Sequence, residues 1–190
     1  PYKSGVFPWY NEDEPILWWA PQKRMVVVPQ HYTMHKSMQN IFNRKIFDIT
    51  FNKDFYQVIT TCKNIYRRDQ QGTWISDEIV EAYTKLHEMG LARSVEVWQN
   101  KKLVGGLYGV DIGNGIFCGE SMFSKVSNAS KVAFYTLLQD LKEKDYLLLD
   151  CQVYNEHLES LGAYEILRSE YMKYLLEGNI RLRIKKMKAS

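Results

Sequence analysis

At 190 residues, 45% hydrophobic and 25% charged, the chain has enough apolar surface for one full core and none of the bias of a disordered or fibrous protein. No apolar run approaches the ~20 residues of a bilayer-spanning helix, no secretory leader opens the chain, and the three cysteines (Cys62, Cys118, Cys151) lack CxxC spacing. These features argue against membrane insertion and against zinc, and for reduced thiols in a cytoplasmic protein. The net charge is only +3, but residues 31–68 hold seven cations against two acids, and the last thirteen residues hold Arg181, Arg183, Lys185, Lys186 and Lys188 with no acid. Clustered cations of this kind fit a nucleic-acid footprint; a solvated basic face is the plain alternative.

All five prolines and Trp9, Trp18 and Trp19 fall within the first 29 residues, which predicts an irregular aromatic lobe over 1–22. The chain does not begin with Met, and this lobe is expected to be truncated. The main domain is expected over 23–190. Met25–Val28 reads as a short strand. Thr33 is placed to cap a helix running to about Arg44, with Met34, Met38, Ile41 and Phe42 inward. A strand over Phe47–Phe51 and a helix over Asp54–Asn64 follow. Arg67–Gly72 is a basic loop, and Ser76 caps the next helix, which stops at Gly90. Three strands come next, Arg93–Gln99, Lys102–Val110 and Ile116–Phe123, with turns at Asn100-Lys101 and Gly113–Gly115. Asn128 caps a helix to about Glu143. A strand over Leu147–Val153 and short helices near Glu156–Leu161 and Ser169–Leu176 complete the core. The alternating tail Ile180–Met187 reads as a final edge strand.

Two of these strands carry lone polar groups. In Leu147–Val153 the apolar run is broken by Asp150 and Gln152, which strand alternation puts on one face, opposite Cys151. In Phe117–Phe123 it is broken by Glu120, beside Gly119. A carboxylate emerging from a buried strand needs a partner or a job. A strand end satisfied by a neighbouring loop would account for one such strand; two suggest a shared polar pocket. The element order predicts a mixed α/β fold with an antiparallel meander and helices on both faces, compatible with the acyl-CoA N-acyltransferase-like (GNAT-like) sheet. The pyrophosphate loop that would hold coenzyme A in that fold, of the type Q/R-x-x-G-x-G/A, is absent.

Nine short blocks spread along the chain resemble, in order, the leucyl/phenylalanyl-tRNA–protein transferases. They are GVFPW (from Gly5), PILWW (Pro15), GTWI (Gly72), SVEVW (Ser94), VGGLYG (Val104), FCGESMF (Phe117), NASK (Asn128), DCQ (Asp150) and SLGA (Ser160). The resemblance implies an acyltransferase-like domain that uses aminoacyl-tRNA in place of acyl-CoA and needs no cofactor or metal. It implies transfer of Leu, Phe or, less readily, Met to an acceptor protein beginning with Arg or Lys, marking it for degradation. It makes Asp150 and Gln152 the reaction-centre pair and gives Glu120 the free α-ammonium of the aminoacyl group. The aminoacyl side chain needs a deep apolar pocket, for which Leu107, Phe117, Met122, Leu137, Leu141 and Leu149 are candidates; each is also a plain core position. Trp9 and Trp74 match the aromatic positions that sandwich the terminal adenine of the tRNA, and Lys36, Arg44 and Lys45 match part of a basic cluster on its backbone. Asn40 stands where one family cation is expected. Glu156, Glu159 and Asp111 are open candidates for reading the acceptor. The enzyme is expected to be a monomer without membrane contact. An acetyl-CoA-dependent N-acetyltransferase and a non-catalytic RNA-binding module are the alternatives.

Overall fold

The computed structural model describes residues 1–10, 14–65 and 74–189, apart from the side chains of Lys186 and Ala189. The basic loop predicted at Arg67–Gly72 lies outside the described residues. In chain order the strands are β1 (Phe7–Pro8), β2 (Trp18–Trp19), β3 (Lys23–Val27), β4 (Asp48–Phe51), β5 (Ala92–Gln99), β6 (Lys102–Asp111), β7 (Ile116–Ser124), β8 (Leu148–Gln152) and β9 (Tyr164–Leu167). The helices are α1 (Lys36–Asn43), α2 (Phe55–Asn64), α3 (Asp77–Glu88), α4 (Ala129–Glu143), α5 (Glu156–Ser160) and α6 (Arg168–Ala189). The chain divides into two compact units, one of Pro1–Tyr32, Asp111–Gly119 and Leu141–Ser190, the other of Thr33–Val110 and Glu120–Asp140.

In the first unit the strand order is β7-β8-β3-β9. β7 and β8 run parallel, with Phe117 opposite Leu149 and Cys118 opposite Asp150. A parallel pair needs a long crossover, and the chain between them contains α4. β3 runs antiparallel to both β8 and β9. Buried on both sides, β3 reads as the near-continuous apolar run Met25, Val26, Val27. α6 follows β9 directly, and Tyr171 and Leu175 sit in the core of this unit.

In the second unit the order is β4-β5-β6-β7, with β4·β5 and β5·β6 antiparallel. The β5–β6 turn has Asn100 at φ 51° and Lys101 at φ 62°, the paired left-handed conformations of a type I′ turn. Asp54 caps α2 by accepting the Gln57 N–H at 3.0 Å, and Ser76 caps α3 through Ile79 at 3.2 Å. Gly105 lets α4 lie directly on β6: a Cβ there would come within 2.5 Å of the Ala129 Cβ.

Several expectations need correction. The residue before α1 is His35, with no side-chain capping bond, and Thr33 lies outside the helix. Asn128 does directly precede α4, at φ 68°, and Ser124 Oγ adds a bond from the Ser130 N–H in the first turn. The first 22 residues contain a short antiparallel pairing, Phe7 with Trp19 and Pro8 with Trp18. β9 is a further strand. The tail Ile180–Met187 is helical: α6 runs on to Ala189. Its alternation comes from two apolar stripes on opposite sides of one helix, one holding Leu182 and the other Ile180 and Ile184, a pattern that mimics a strand period over a few residues.

Candidate active site

β8 carries an apolar run into Asp150, and there the regular ladder breaks. Across β3·β8, Val26 faces Asp150 but Met25 faces Gln152, so the register shifts and Cys151 is the extra residue of a β-bulge. Gln152 closes the strand at φ 67°, in the left-handed region that side chains other than glycine seldom adopt. Asp150 stabilises this turn locally, since its Oδ1 accepts the Gln152 backbone N–H at 2.9 Å. The two residues are therefore a turn pair at a strand end, and strict alternation does not describe them.

Asp150 is 0% exposed, and every lone-pair direction has a donor. Arg24 on β3 binds it in a fork, Nε to Oδ1 at 2.8 Å and Nη2 to Oδ2 at 2.7 Å. The Tyr171 hydroxyl of α6 donates to Oδ2 at 3.0 Å, and the Cys118 thiol lies 3.7 Å from the same oxygen. The Arg24 guanidinium is itself enclosed, 4.6 Å from the Phe7 ring centroid and 4.7 Å from that of Tyr171, with the Gly5 carbonyl 3.5 Å from Nη1. Burial alone would lower the Arg24 pKa, but the charge and hydrogen bonds of Asp150 outweigh it and the net shift is upward. Burial, then Asp150, pushes the Tyr171 phenol up, so it stays a proton donor. The same two causes, in the same order, push up the Cys151 thiol and leave it a poor nucleophile.

This centre has consequences for chemistry. A carboxylate with two donors on Oδ1 and three on Oδ2 has no lone pair left to take a proton from a substrate. Asp150 holds the strand-end turn through the Gln152 backbone N–H, and Gln152 itself is half-buried. Sequence reading missed Arg24 and Tyr171. Arg24 gave little signal: it follows Lys23 at the edge of Met25-Val26-Val27-Val28, and nothing in the sequence says which of the two cations turns inward. Tyr171 is one of 13 tyrosines and carried none.

The other predicted residues are distributed as follows. In the first unit, Phe117 and Leu149 are register partners, Leu141 is buried with them in the core, and Trp9 is 40% exposed. Trp9 stacks obliquely on Trp19, 5.8 Å between centroids, and its carbonyl accepts the Trp19 indole N–H at 2.6 Å. In the second unit, Leu107 and Leu137 are buried and Met122 and Trp74 are half-buried. Glu120 accepts the Tyr83 hydroxyl at 3.2 Å. Lys36, Arg44 and Lys45 are exposed in and just after α1, with Lys45 at φ 49°. Of the acceptor candidates, Asp111 is taken up by the Tyr146 hydroxyl at 2.5 Å and the Gly113 N–H at 3.0 Å. Glu156 and Glu159 are exposed on α5, where Glu159 accepts from Tyr154 at 2.8 Å. Among the described residues no group of three or more His, Cys, Asp or Glu could hold a metal ion, and no helix is long and apolar enough to cross a membrane.

Residues 26–176 match the leucyl/phenylalanyl-tRNA protein transferase family, and residues 2–22 match the N-terminal domain of the same family. A Flavobacterium johnsoniae protein named leucyl/phenylalanyl-tRNA–protein transferase is 62% identical over 174 residues, covering 92% of this chain and 82% of its own length. One of the same name from Thermodesulfovibrio yellowstonii is 49% identical over 177 residues, covering 93% and 72%. In fold alone, a conserved Bacteroides thetaiotaomicron protein of unknown function is similar, with a TM-score of 0.50 at 11% identity over 69% of this chain and 50% of that one.

Proposed function

Because the chain belongs to the leucyl/phenylalanyl-tRNA protein transferase family, enzymes that move an aminoacyl group from tRNA to a protein N-terminus, we propose that it transfers Leu, Phe and, less readily, Met to acceptors beginning with Arg or Lys, with Gln152 at the reacting atoms. Such transfer marks the acceptor for degradation in the cytoplasm, and one chain suffices for it. The mixed sheet is read as acyl-CoA N-acyltransferase-like in its service to an acyl donor.

The donor ester is already activated, so no covalent enzyme intermediate is needed. The acceptor α-amine has an ordinary pKa of about 7.7–8.0 and is partly neutral at physiological pH. Its nitrogen attacks the ester carbonyl, the carbon–nitrogen bond forms, and the carbon–oxygen bond to the tRNA ribose breaks. The amine loses a proton, and the departing ribose oxygen gains one. Holding the two reactants together is worth up to about 7–11 kcal/mol. The Gln152 amide supplies an acceptor for the amine N–H and a donor for the developing oxyanion. Glu120, within reach of the Tyr83 hydroxyl, is assigned the α-ammonium of the aminoacyl group. Trp9 and Trp74 are assigned to the terminal adenine, where stacking contributes about 1–3 kcal/mol per base. Lys36, Arg44 and Lys45 are assigned to the tRNA backbone. The buried Leu107, Phe117, Leu137, Leu141 and Leu149 and the half-buried Met122 are assigned to the aminoacyl pocket; apolar pockets discriminate by only about 1–3 kcal/mol per methylene, which suits a site taking both Leu and Phe.

The observation that carries this reading is the hydrogen bond from the Gln152 N–H to a carboxylate that is itself fully occupied. It holds the Gln152 backbone in place and leaves Asp150 no open lone pair to accept a proton. Gln152→Gly tests it without backbone strain, since glycine accepts φ 67°. The expected result is a fall in kcat of about 100-fold, the scale of one lost oxyanion donor, with tRNA affinity unchanged. Retained turnover, or equal loss of turnover and affinity, would remove Gln152 from the reaction.

A further inference from the structure

The cations of the C-terminal segment play no part in the chemistry above. They lie on α6 beyond residue 176, where the match to the family ends. Tyr171, Leu175, Gly178 and Leu182 recur at i, i+4, i+7 and i+11 and form the packed face. Tyr171 and Leu175 are buried, and a Cβ at Gly178 would collide with the Asn114 carbonyl oxygen. The opposite side is open to solvent. Flanking the packed face, Arg181, Lys185 and Lys188, all exposed, recur at i, i+4 and i+7, so they form a row with axial steps of about 6 and 4.5 Å. Arg181 meets Glu177 at 2.6 Å, but both side chains are half-exposed and such a pair is readily exchanged for another anion. The row starts about 15 Å along the axis from Tyr171, whose hydroxyl touches Asp150, and ends about 26 Å from it.

We propose that Arg181, Lys185 and Lys188 are a phosphate-binding row for the duplex acceptor stem of the tRNA donor. The proposal rests on the aminoacyl-transfer reading. The reacting ester sits at the end of a short unpaired 3′ segment, so the first duplex phosphates must lie well away from Gln152. The helix that supports Asp150 leads from the centre outward and turns cationic over that span. Row and stem are complementary in charge. A second copy of the chain is not, since two such rows would repel. The exposed apolar ridge Leu176, Ile180, Ile184 and Met187 beside the row is what an anionic lipid surface would use, and the test includes it.

The test compares the wild-type chain with R181E/K185E/K188E and with the milder R181Q/K185Q/K188Q. Affinity for deacylated tRNA is measured from low to high salt, and transfer is measured from leucyl-tRNA and from 3′-leucyl-adenosine, which has no stem. The expected result is at least a tenfold weaker Kd for tRNA in the Glu variant and a salt slope smaller by roughly 0.9 for each phosphate lost. The Gln variant should fall between, and the loss should be confined to the full-length donor. Wild-type affinity and slope in both variants would overturn the row, as would equal losses on the stemless ester. Binding of the wild type to phosphatidylglycerol–phosphatidylcholine vesicles, lost in the variants while tRNA affinity holds, would assign the surface to lipid instead. If the wild type transfers Leu from neither donor, the aminoacyl-transfer reading fails, while the salt slope still decides the row.

Discussion

The Arg24–Asp150 pair is the most consequential contact of the chain. Taking both charges out of water is costly, and what offsets that cost here is geometry: a two-point fork, the Tyr171 hydroxyl, a backbone N–H and two aromatic faces on the guanidinium. Such an arrangement tolerates the loss of neither partner. Arg24→Met should lower the unfolding free energy by about 3–5 kcal/mol, because it leaves a buried carboxylate unpaired. Urea unfolding measures it, and a loss below about 1 kcal/mol would show that the site reorganises and that the pair does not hold the turn. At this scale the sequence displayed the acid and hid its partner. Asp150 and Gln152 stand out because they interrupt LLLDCQV. Arg24 sits at the edge of an apolar run, where a surface cation is the ordinary reading. The left-handed conformation of Gln152 leaves no trace in composition, since it arises from a side chain two residues away.

At the scale of elements, strong local signals were sufficient. Asp54 and Ser76 cap α2 and α3, the Asn100-Lys101 turn closes β5 on β6, and Gly90, at φ 72°, follows α3 as its terminating residue. Failures came where tertiary packing decides. The packed stripe and the exposed ridge of α6 alternate over Ile180, Leu182 and Ile184, and only its seat on the Gly113–Gly115 turn distinguishes a helix from a strand there. Gly178 is the element-scale probe of that seat. Gly178→Ala should raise intrinsic helix propensity yet destabilise by about 1–3 kcal/mol through overpacking against Asn114, with faster amide exchange over residues 178–189. Increased stability in the alanine variant would mean that α6 is not seated on that turn.

At the scale of the whole molecule, the nine blocks that carry the family resemblance mark positions held by chemistry or by tight packing. Gly105 presses on Ala129, Glu96 is buried and takes hydroxyls from Thr50 and Ser94, and Asp150 takes Arg24. Short motifs of this kind sufficed to identify the family, while the surface that sets specificity stayed illegible: exposed cations and carboxylates in a sequence do not say what they face. One reaction is central to the function proposed for this chain: aminoacyl transfer from tRNA with an acceptor rule. The direct measurement is transfer of labelled Leu from leucyl-tRNA to a peptide beginning with Arg, beside the same peptide beginning with Ala. Label on the Arg peptide and none on the Ala peptide is the predicted result. Equal labelling would contradict the acceptor rule, and no labelling of either would contradict the reaction itself.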